Sequence, residues 1–101
     1  MRVHWSTVAL ERVSEIADYL AVDDLGAAER WVDGLFAAAE RLEPFPRSGR
    51  VVPELRREAI REVFYKRYRI LYKVQPERVE VLTVRHMRQH LSDNDPDLSD
   101  V

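Results

Sequence analysis

"IREVFYKRYRILYKV" (residues 60–74) decides the fold. Ile60–Tyr65 and Tyr68–Val74 each read as a strand rich in β-branched and aromatic residues, with only Lys66 and Arg67 between them. Pairing Tyr65 with Tyr68 sets the register of a hairpin. Side chains alternate along a strand, so Arg61, Val63, Tyr65, Tyr68, Ile70 and Tyr72 share one face. That face is mostly aromatic and aliphatic and should pack on the rest of the domain. Ile60, Glu62, Phe64, Arg69, Leu71 and Lys73 take the other face, which is mixed and should meet solvent or a partner. Arg69 lies diagonal to Glu62 on that face, which predicts an ion pair.

Downstream, "QPE" turns the chain and residues 78–85 ("RVEVLTVR") form a further strand. Pro76 cannot adopt the positive φ of a type I′ turn, so the simplest hairpin template does not fix this strand's register. Upstream, residues 43–55 contain three prolines and a glycine and read as irregular chain. Before them come two amphipathic helices. Ala9, Val13, Ile16 and Leu20 share one helical face, with Ser6 or Thr7 as N-cap. Ala28, Val32, Leu35, Ala39 and Leu42 do the same over residues 27–42, with Asp23 or Asp24 as cap. Trp31 widens that stripe, and Gly34 inside it points to close packing. Residues 2–5 ("RVHW") alternate and read as a first strand, with Trp5 in the core. The fold class is therefore α+β: a strand, an antiparallel two-helix hairpin, then a three-stranded antiparallel sheet. A single domain is expected over residues 1–91, followed by an acidic, flexible tail over residues 92–101.

A chain of 101 residues has room for one domain. It has no cysteine, which excludes disulfides and thiolate zinc sites. No long apolar run opens it, so neither a signal peptide nor a membrane anchor is expected, and the cytoplasm is the expected compartment. The net charge of -2 conceals a segregation. Residues 1–46 carry 4 basic and 9 acidic side chains, residues 47–91 carry 12 and 5, and residues 92–101 carry none and 4. The basic third points to an acidic or polyanionic partner. His86 and His90 have helical metal-ligand spacing but no third ligand, and "DNDPD" (residues 93–97) lacks the glycine of a calcium loop. No metal and no cofactor are expected.

Four short pieces in order resemble the RelE/ParE superfamily of type II toxin–antitoxin toxins: Gly49-Arg50, "IRE" (60–62), "YRILY" (68–72) and "VRHMR" (84–88). The resemblance covers residues 1–91. It implies a toxin neutralised by a cognate antitoxin that wraps around it in a hetero-oligomer. Members of the RelE type cut mRNA on the ribosome, whereas members of the ParE type poison DNA gyrase. A nuclease here would draw on Arg69, His86 and Glu62, or on Glu54 in place of Glu62. The set is incomplete, because Glu62 stands where such nucleases commonly carry lysine and no tyrosine follows Tyr72. The long helical hairpin also suits the ParE-like branch. The expected reading is thus a ParE-like gyrase poison acting by binding. Its expected partner contacts are Arg50, Arg61, Arg69, Lys73, Arg85 and Arg88. The alternatives are a ribosome-dependent mRNA endonuclease and a degenerate, non-toxic antitoxin binder.

Overall fold

The computed structural model describes residues 1–98. In chain order these form β1 (Arg2–Trp5), α1 (Thr7–Ala21), α2 (Leu25–Glu40), β2 (Arg50–Val51), β3 (Ile60–Tyr65), β4 (Tyr68–Val74) and β5 (Arg78–His86). A single 3₁₀ turn, Pro96–Leu98, follows. The Ser6 hydroxyl caps α1 by accepting the Ala9 N–H at 3.0 Å, and the Asp24 carboxylate caps α2 through the Ala27 N–H at 3.1 Å. Ala9 and Val13 from α1 meet Trp31 and Leu35 from α2 in a core against Ile70, Val81 and Val84. Gly34 is there because a Cβ would fall on the Tyr65 hydroxyl. Its absence lets Tyr65 pack against the α2 backbone.

The sheet has five strands in the order β1-β5-β4-β3-β2. The β3–β4 hairpin has the expected register, with Tyr65 opposite Tyr68. Lys66 takes a positive φ of 53° in the tight turn. β1 joins as a parallel edge strand, Val3 beside Val79 and Trp5 beside Val81, so the α+β order is realised as a mixed sheet. β2 is a two-residue strand inside the stretch expected to be irregular.

The β4–β5 register shifts between Leu71 and Tyr72, which face Thr83 and Val81, leaving Leu82 as the extra residue. The bulge explains an otherwise conflicting pattern. Val79, Val81 and Val84 all face the helix side, which strict alternation forbids, while Leu82 faces away.

Most of the second sheet face is covered by the chain itself and not by solvent, which corrects the expectation there, while Phe64 at its edge stays 45% exposed. Ile60, Leu71 and Leu82 are buried there under Val52, Leu91 and Leu98. Residues 52–58 and 87–98 fold across this face, supplying the apolar cover that the helices supply on the other. Among the described residues, no helix is long and apolar enough to cross a membrane.

Candidate functional site

The covered face contains a chain of four ionised groups. Arg69, only 4% exposed, grips Glu54 with both terminal nitrogens at 2.8 Å. Its Nε donates to Glu62 Oε1 at 2.5 Å. Arg50 Nε donates to the other Glu62 oxygen at 2.7 Å. Glu62 is 1% exposed, so both its oxygens are satisfied by arginines in a dry setting. The Arg69 hydrogen bonds hold the Glu54 carboxyl down at about 2, against the opposing effect of burial. Arg69 itself is raised by the same bonds. The expectation that this face meets solvent or a partner therefore fails at Arg69, which is buried. Two carboxylates match the guanidinium and make burial tolerable.

A second knot lies at the end of β5. Asp97 accepts Arg12 Nε at 2.9 Å and Nη2 at 3.0 Å, Thr83 Oγ1 at 2.9 Å and Arg85 Nη2 at 2.9 Å. Arg85 also reaches Asp95 at 2.6 Å. Arg12 and then Arg85 and Thr83 hold the Asp97 carboxyl well below the usual carboxylate range. Leu98 is buried among Val52, Leu71 and Leu91. The expected free tail is thus corrected for residues 92–98, which are docked on the sheet. Residues 99–101 lie outside the described residues.

The sequence-derived contacts divide accordingly. Arg69 and Arg85 are consumed by carboxylates. Arg61 donates to the Gly49 carbonyl at 3.0 Å and to Glu58 at 2.8 Å on the helix side. Arg50 keeps over half its side-chain surface while pairing with Glu62 and lying 5.0 Å above the Phe64 ring. Lys73 is half-buried, and Arg88 is exposed. The nuclease trio does not assemble. Tyr68 and His86 are paired on the helix side, with rings 5.4 Å apart edge to face, so His86 and Arg69 project from opposite faces. His86 Nδ1 accepts the Arg88 N–H at 3.1 Å. A groove of 670 Å³ between α1 and the β5 end is lined by Ile16, Tyr19, Tyr68, Val84, His86 and Gln89, among others. Arg12, Asp95 and Asp97 were missed as a unit. The available signal was Leu98, a large aliphatic side chain that follows five acidic or polar residues and a proline after Leu91. Among the described residues, no group of three His, Cys, Asp or Glu could hold a metal ion.

Residues 3–91 match the family model described as ParE toxin of type II toxin-antitoxin system, parDE. The chain belongs to this family. A protein of Sinorhizobium fredii (strain NBRC 101917 / NGR234) named as a candidate toxin, Y4kP, is 34% identical over 90 residues, covering 87% of this chain and 90% of that one. A solved structure described as the chromosomal ParDE TA system from P. aeruginosa superposes with a TM-score of 0.74 at 16% identity. It covers 85% of this chain and 95% of that chain, and the likeness carries the fold. The ParE family match stops at residue 91, so the docked segment 92–98 lies beyond it.

Proposed function

We propose that this ParE-family toxin arrests growth in the cytoplasm by binding and poisoning DNA gyrase, and that a cognate antitoxin neutralises it in a hetero-oligomer. The observation that carries the non-enzymatic part is the state of Arg69. A phosphate-binding arginine needs a free donor fork, and here Glu54 and Glu62 fill it. A general base would have to stand beside it, whereas His86 projects from the other face of the sheet. The ParE family membership supports gyrase as the target. Within the family resemblance, the surface cations that remain for contact are Arg50, Lys73 and Arg88, together with Arg67 at the hairpin tip. Sequencing RNA 5′ ends from cells expressing the protein tests the reading. Growth arrest with intact mRNA and induced DNA damage is the expected result. In-frame mRNA cuts at ribosomes would replace it with the endonuclease reading.

A further inference from the structure

Where α1 turns into α2, three large apolar side chains face water: Tyr19, Val22 and Leu25 are 75%, 84% and 64% exposed. Such a cluster on a small domain marks a surface that is covered by something else. The same turn is anionic. Asp18, Asp23 and Asp24 are exposed. Asp24 is used as the α2 cap, while Asp18 and Asp23 make no ion pair among the described residues. Arg30 is the one cation between Arg12 and Arg41, so this turn has little internal compensation.

The tip of the β3–β4 hairpin lies at the same end of the molecule. Tyr19 and Tyr68 line one groove. Trp31, early in α2, meets the Tyr65 and Tyr68 rings at 6.4 and 5.0 Å. The Met87 N–H donates to the Arg67 carbonyl at 2.8 Å, which places Met87 and Arg88 beside the tip. Lys66, Arg67 and Arg88 are exposed and make no ion pair among the described residues. Met87, another large apolar side chain, is 49% exposed. No aspartate or glutamate lies between Glu62 and Glu77 or between Glu80 and Asp93, so the tip is cationic.

One end of the molecule thus carries exposed apolar side chains, with anions on its helical part and cations on its sheet part. A polyanion would be repelled by Asp18 and Asp23, and a cationic surface by Arg67 and Arg88. A second copy related by a two-fold axis satisfies both halves, because each acidic turn then meets a basic tip. We propose that this end is a two-fold interface between two copies of the chain, the α1–α2 turn of each set on the β3–β4 tip of the other. Burial of Tyr19, Val22, Leu25 and Met87 drives the pairing, and the unlike charges fix its orientation. The inference does not rest on the gyrase reading. Arg67 and Arg88 lie inside the contact, so pairing competes with any target that uses them.

Sedimentation velocity on the purified full chain tests this, from about 1 μM to about 300 μM, a span that covers weak and moderate association. The weight-average mass should rise from one chain toward two. Two charge-reversed chains follow: Asp18→Lys with Asp23→Lys makes the end wholly cationic, and Arg67→Glu with Arg88→Glu makes it anionic. Each alone should pair at least about tenfold more weakly, and an equimolar mixture of the two should recover a dimer. Val22→Ser with Leu25→Ser should also weaken pairing about tenfold, with the far-ultraviolet circular dichroism unchanged. A single-chain mass at every concentration overturns the proposal. So does a dimer that the charge reversals and the serine pair leave intact. Reversed chains that stay apart when mixed overturn the acid-on-base arrangement. If a reversed chain does not fold, the Val22→Ser, Leu25→Ser chain decides alone. Growth arrest is not a readout here, so failure leaves the toxin reading to be judged separately.

Discussion

Arg69 shows how a single side chain can mislead a reader of sequence. On an alternating strand it belongs to the polar set, and its diagonal pairing with Glu62 was legible from the register alone. Its second partner, Glu54, comes from a proline-flanked loop with no periodicity, so the closure of the ion cluster was not legible. Replacing Glu62 by Gln should leave Arg69 and Arg50 undercompensated and cost about 3 kcal/mol, measured by denaturant unfolding. Glu54 gives a pH signature. Its folded pKa of about 2 lies below the ordinary value of 4.5, so between these values the unfolded chain binds more protons. The stability it contributes is fully present above about pH 4.5 and is lost as the pH falls toward 2. Glu54→Gln should therefore flatten the acid limb of a melting-temperature profile, and an unchanged limb would show that other carboxylates carry it.

At the scale of elements, the helices and the β3–β4 hairpin follow their periodicities closely. β5 does not, because one extra residue at Leu82 rotates the valines back toward the helices. A bulge breaks the period on which a register is read, and nothing in "VEVLTVR" announces it. β2 was hidden for another reason. Two residues between Gly49 and Pro53 carry no pattern, and they become a strand only because β3 presents an edge. Gly34 was legible as a close contact, though not as a contact with Tyr65. Gly34→Ala should lower stability by about 2 kcal/mol through overpacking, and Tyr65→Phe in the same chain should recover part of it. The segment 92–98 behaves as an element despite its composition. Truncation after residue 91 removes buried Leu98 and strands Arg12 and Arg85 without Asp97 and Asp95. The loss should be about 3 kcal/mol, and a domain of this size would melt roughly 10 °C lower or more. Asp97→Asn alone should account for about 1–2 kcal/mol of it. A truncated chain with an unchanged melting temperature would show that the segment is dispensable.

Over the whole molecule, the charge segregation read from the sequence is real, and part of it is internal. Arg12, Arg69 and Arg85 are matched by carboxylates from distant parts of the chain, so these three cations hold the fold together. Most of the other cations of residues 47–91 face outward: Arg47, Arg50, Arg56, Arg57, Lys66, Arg67, Arg78 and Arg88 are exposed. This separation between structural and exposed cations cannot be seen without the fold. It changes which variants are informative. Arg69→Ala would confuse loss of contact with loss of fold, whereas Arg88→Glu should leave the melting temperature unchanged and weaken toxicity, scored by the inducer concentration that halves growth. His86→Ala should remain toxic, since loss of a general base would reduce a catalytic rate by about 100-fold or more, whereas a binding toxin needs no base there. The most direct measurement incubates the purified protein with DNA gyrase and supercoiled plasmid, then denatures the mixture and resolves the DNA. Plasmid linearised in proportion to the protein, with His86→Ala equally effective, is the expected result. Undamaged plasmid and normal gyrase turnover at saturating protein, with mRNA cleaved on added ribosomes, would contradict it.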